Sequence, residues 1–123
     1  MASYANWYAG WLMILAAFVA GGVIGLFFWR EDFLGGYGSW RRRLTRLGHI
    51  ALAALGLFNV IYAIAPAGAV SGWRLEWAGI GLIAGGVAMP VVCFLSAWNR
   101  AFRRLFFIPV GALIGAVVLI LMG

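Results

Sequence analysis

Four arginines, Arg41, Arg42, Arg43 and Arg46, stand directly before a run that stays apolar as far as Ala63 except at His49, Asn59 and Tyr62. A chain that passes from clustered cations to hydrocarbon within a few residues is leaving a charged surface and entering a bilayer, and that step orients the rest of the molecule. A helix needs about 20 apolar residues to cross the hydrocarbon, and runs of that length place spans at about 7–29, 47–65, 74–98 and 105–122. A hydrophobic content of 66% and a mean hydropathy of +1.03 lie far outside the soluble globular range. The expected fold is an all-α integral membrane four-helix bundle, one domain over residues 1–123, whose short connections leave no room for a soluble domain.

The net charge of +6 comes from nine arginines, without a single lysine, against three carboxylates. In a soluble chain it would suggest nucleic acid, but here the arginines flank apolar spans, so anionic lipid head groups are the expected counter-charge. No soluble substrate is evident. Arg30, Arg41, Arg42, Arg43, Arg46, Arg100, Arg103 and Arg104 lie in the connections after spans one and three, and Arg74 alone follows span two. This bias predicts both termini on the non-cytoplasmic side. The start, MASYANWYAG, has no basic leader and runs into an apolar stretch too long for a signal-peptide core, so it reads as a retained span. Cys93, alone, excludes an internal disulfide.

Small residues indicate where helices meet. Ala17, Gly21 and Gly25 recur every four residues in span one, Gly81 and Gly85 in span three, and Gly111 and Gly115 in span four, each a stripe that lets another backbone approach closely. In span two, His49, Gly56 and Ala63 share a stripe with Asn59 on its flank, where an intramembrane amide is expected to hydrogen-bond another helix. Pro90 should kink or loosen span three. Trp40, Arg41, Arg42, Arg43, Arg46 and Asn59 are the expected lipid or partner contacts. The connection 30–46, with Gly35, Gly36 and Gly38 among aromatics, is expected along the membrane surface, with Glu31 and Asp32 as solvated charges.

Catalytic constellations are missing from the pattern. No carboxylate lies near the middle of a span, since Glu31 and Asp32 are in a connection and Glu76 marks the interface where span three begins, which argues against an autonomous proton-coupled pump. Gly21, Gly22 and Gly25 in GGVIG sit in an apolar helix with no preceding strand, so they are packing glycines rather than a dinucleotide turn. His49 and Cys93 are at similar expected depth, which would permit a shared site. One histidine and one cysteine do not make a metal site, whereas haem or a chlorin asks for one axial imidazole per side. His49 is therefore either an interfacial hydrogen-bonding residue or a haem, quinone or pigment contact.

The run RRRLTRLGHIAL, followed by Leu55-Gly56, Asn59 and Tyr62-Ala63 and preceded by FLGGYG, resembles small uncharacterised bacterial four-span inner-membrane proteins over roughly residues 20 to 65. The resemblance implies a bacterial inner-membrane location and carries no activity with it. Small multidrug exporters are similar in length and span number but carry a glutamate in span one, which this chain lacks. Fluoride channels are also similar in size, and only GGVIGLFFWR faintly matches their glycine-arginine opening.

These features lead to the expectation of a non-catalytic accessory subunit of a larger membrane complex, foremost an energy-transducing one of respiratory or photosynthetic electron transport. Its glycine faces and seven tryptophans would meet other membrane subunits, lipids or pigments. One alternative is a homo-oligomeric small channel or transporter lined by Asn59 and Ser96. The other is a haem- or pigment-binding subunit that uses His49.

Overall fold

The computed structural model describes residues 2–123, with side chains from Tyr4 onward. Helices α1 (Ala2–Phe27), α2 (Trp40–Ala63), α3 (Trp73–Trp98) and α4 (Phe107–Met122) follow one another, with short 3-10 segments at Phe33–Gly35 and Arg100–Phe106. No strand occurs among the described residues. Four helical stretches are long and apolar enough to cross a membrane, the fourth counted from Arg100. The chain is an all-α, multi-pass membrane fold. Helix α4 alone, at 16 residues, rises only about 24 Å against a hydrocarbon thickness of about 30 Å. The 3-10 segment ahead of it makes up the difference.

Helix α2 begins at Trp40, several residues before the expected start of span two, so the arginine cluster occupies its first turns rather than a connection. Ser39 is the reason. Its hydroxyl accepts from the Arg42 N–H at 3.2 Å as an N-cap and donates to the Leu34 carbonyl at 2.7 Å. That second bond holds a turn in which Leu34 has φ 55° and Gly35 and Gly36 have φ 87° and 102°. Leucine in that region is strained, and the two glycines after it let the chain reverse without further steric conflict.

Helix α3 is the hub of the bundle. It packs against α1, α2 and α4, and it runs unbroken through Pro90, which is buried. Packing against α1, α2 and α4 holds the helix where its Gly86 carbonyl loses the usual donor four residues on. Helix α4 packs mainly on α3, and its Ala116 joins Tyr62 of α2 with Val70, Ala78 and Leu82 in one buried cluster flanked by Leu113 and Ile120. One end of the bundle gathers the start of α1, the 64–72 connection and Gly123, whose carbonyl accepts from Arg74 Nε at 3.1 Å. Eight arginines with Glu31 and Asp32 lie toward the other end, so the net +6 of the chain is concentrated there.

Candidate functional site

Inside the apolar bundle the most consequential polar group is a pair of amides, Asn6 on α1 and Asn59 on α2, both fully buried. Asn6 Nδ2 donates to Asn59 Oδ1 at 2.7 Å and to the Gly79 carbonyl of α3 at 3.1 Å. Asn59 Nδ2 donates to the Leu55 carbonyl at 2.9 Å and the Leu82 carbonyl at 3.1 Å. All four amide hydrogens are thereby matched to acceptors, and three helices are joined at one point. Only Asn6 Oδ1 lacks a partner. Asn59 thus makes the interhelical hydrogen bonds expected of an intramembrane amide, and because they close inward it does not lie on the expected partner or pore surface. Nearby, the Tyr62 hydroxyl donates to the Leu75 carbonyl and ties the end of α2 to the start of α3.

At the opposite end Arg42 also departs from expectation. It is 1% exposed and cannot contact lipid. Its guanidinium donates to the Phe28 carbonyl at 2.6 Å and the Arg30 carbonyl at 3.1 Å, lying 4.5 Å from the Phe28 ring centroid and 4.8 Å from that of Tyr37. Carbonyls just past a helix C-terminus carry partial negative charge, so this cation closes α1 electrostatically while the rings cover its faces. Arg46 stacks on Tyr37 at 5.0 Å, and Arg41 and Arg43 are exposed. Arg42→Gln is expected to destabilise the fold by about 2 kcal/mol, since it strands carbonyls at a buried corner. Arg43→Gln should be neutral within about 0.5 kcal/mol. Unfolding titration in mixed micelles checks this, and equal stability of the two variants would contradict the assigned role.

His49 reaches across to α1, where Nε2 lies 2.9 Å from the Ala17 carbonyl. A carbonyl only accepts, so Nε2 carries the proton. Gly21 makes the approach possible, because a Cβ there would stand 2.6 Å from that nitrogen. The imidazole therefore does not fit as an axial ligand through Nε2, whose hydrogen is directed at the backbone. Cys93 does not share its site. It is buried against Leu44 and Ala97, beside Gly48, on a different side of α2 from the one that carries His49 toward α1. No group of three or more His, Cys, Asp or Glu side chains fit to hold a metal occurs among the described residues.

The glycines divide sharply. Added Cβ atoms at Gly81 and Gly85 would stand 3.1 Å from the Ala112 carbonyl and 3.2 Å from the Pro109 carbonyl of α4, and one at Gly56 would stand 2.9 Å from the Gly10 carbonyl of α1. Gly25, Gly111 and Gly115 depart from expectation, since a Cβ at any of them would meet nothing within 4 Å. Each four-residue step advances about 40° around a helix, so a stripe begun at Ala17 has turned about 80° off the α2-facing side by Gly25. Burial follows the rotation: Ala17 is buried, Gly21 partly so and Gly25 exposed. On α4 the small pair that meets α3 is Ala112 and Ala116, one residue on from the glycines.

Sequence reasoning missed Asn6, Gly10 and Gly48. Asn6 sits among Tyr4, Trp7 and Tyr8, where it reads as an interfacial residue, and Gly10 belongs to no four-residue stripe. Trp40, expected at the surface, is half-buried with Nε1 donating to the Ser96 carbonyl at 2.7 Å. Searches against protein-family models, curated proteins and solved structures find no match for the chain.

Proposed function

We propose that this chain is a non-catalytic accessory subunit of a larger complex in the bacterial inner membrane, with an electron-transport assembly as the first class to test. The observation that carries this reading is the outward aim of the small-residue faces. Gly22 and Gly25 on α1 and Gly111 and Gly115 on α4 offer bare backbone to the surroundings, while the buried amides of Asn6 and Asn59 donate to the chain's own carbonyls. Bare helix faces of this kind suit close approach by another transmembrane helix, since packing rather than hydrophobicity drives association in lipid. Purification in mild detergent should recover the chain with larger membrane subunits. Gly25→Leu together with Gly115→Leu should release it without loss of helix content, and His49→Ala should loosen the association without abolishing folding. Recovery as a free homo-oligomer that conducts ions in liposomes would overturn the proposal in favour of a channel.

The proposed orientation puts the arginine-rich end in the cytoplasm and both termini outside. Cys93 is fully buried and silent to reagents, so single cysteines report cleanly. Ser71→Cys should react with a membrane-impermeant maleimide in intact cells, and Gly38→Cys only after permeabilisation. The reverse pattern would invert the topology.

A further inference from the structure

The arginine end of the bundle holds a cleft of about 410 Å³ between the start of α2 and the end of α3, lined by Trp40, Arg41, Trp98 and Arg100 together with Leu34 and Ala97. Its walls are set in place. The Trp40 ring is held by the bond to Ser96, and the Arg100 guanidinium lies 5.2 Å from that ring's centroid. Neither Arg41 nor Arg100 has a carboxylate, because the one ion pair among the described residues joins Arg30 to Asp32 at 3.6 Å. The backbone N–H groups of Trp40 and Arg41 open α2 and precede its first intrahelical bonds, so they add positive potential at the same mouth. Two uncompensated guanidiniums and an aromatic wall at this depth select an anion.

A second hollow lies along the same faces, deeper in the hydrocarbon. Leu52 is eleven residues past Arg41 on α2, and Val91 and Val87 are seven and eleven residues before Trp98 on α3. Those spacings return to within about 20° of one face, roughly 10–17 Å further along the helix. Leu52, Val87, Val91 and Phe94 join Leu12 and Met13 of α1 around this apolar groove of about 410 Å³.

We infer that the two hollows seat one anionic phospholipid, its phosphodiester between Arg41 and Arg100 and an acyl chain along the α2–α3 face into the groove. A free phosphate uses only the first, and the alignment of the second commits the site to a lipid. This holds whether or not the chain is a subunit of a complex.

The test is native mass spectrometry of protein extracted from nanodiscs of equal phosphatidylglycerol and phosphatidylcholine. Wild-type protein should retain one phosphatidylglycerol, preferred about tenfold or more, given the attraction each interfacial arginine exerts on anionic lipid. R41Q/R100Q should lose that preference, whereas R103Q/R104Q, outside the cleft, should keep it. V91W fills the groove from an exposed position and should release the lipid with both arginines intact. Equal retention of the two lipids by wild type, or undiminished preference in R41Q/R100Q or V91W, would overturn the inference. Displacement of the lipid by millimolar inorganic phosphate would assign the cleft to a free anion and overturn it equally.

Discussion

Asn59→Leu is expected to destabilise the bundle by about 2–4 kcal/mol, the largest loss from any single side chain in the interior. The substitution removes donors to the Leu55 and Leu82 carbonyls and the acceptor of Asn6, leaving an Asn6 N–H unpaired among α1, α2 and α3. Individual interhelical hydrogen bonds in membranes average below 1 kcal/mol, but a stranded buried donor adds about 1–3 kcal/mol. The branched replacement also crowds Met13 and Gly86, which leave no slack: a Cβ at Gly86 would stand 3.1 Å from both Asn59 Nδ2 and Met13 Cε. Asn6→Leu should be milder, since it removes the unpartnered Oδ1 along with the two bonds. The double variant should fall short of the sum by about 1 kcal/mol. Steric-trap or denaturant unfolding of the four proteins in one lipid-detergent mixture measures the cycle, and additivity within error would show that the amides act separately.

Gly10→Leu is expected to separate α1 from α2. A Cβ at Gly10 would lie 2.6 Å from the Gly56 carbonyl oxygen and 2.9 Å from the Val60 nitrogen, and one at Gly56 would lie 2.9 Å from the Gly10 carbonyl oxygen. These obstacles are backbone and cannot rotate away. Even Gly10→Ala should destabilise by about 1–3 kcal/mol, the range for overpacking a filled interior, and leucine should exceed that range. Gly111→Leu is the contrast, expected within about 0.5 kcal/mol of wild type because its side chain enters open space. Pairwise fluorescence transfer between labels on α1 and α2 reads the separation directly. Unchanged transfer in Gly10→Leu would mean that the crossing point lies elsewhere.

The span count and the interior role of an amide at Asn59 were legible because both follow from polarity along the chain, whereas the facing of each helix was not. Arg41, Arg42 and Arg43 are chemically identical and differ by about 100° in direction, so only the packing of α1 against α2 singles out Arg42. Helix α4 is apolar all round, and with no polar side to mark its outer face the GxxxG pair looked like the seam. The working pair, Ala112 and Ala116, is equally small and invisible to a search for glycine. Asn6 escaped notice because its partners come from α2 and α3, and nothing near it in sequence announces them.

The lateral position of α4 also bears on how the chain is built at the ribosome. The amide junction is made by α1, α2 and α3 alone, so its closure does not depend on α4. Helix α4 is the last to leave the ribosome, behind Arg100, Arg103 and Arg104, and docks on the Gly81 and Gly85 side of α3, which the junction does not use. Its late docking leaves an interval in which the Gly81 and Gly85 side of α3 is bare, and the first helix to reach that side in the native chain is the one that follows it.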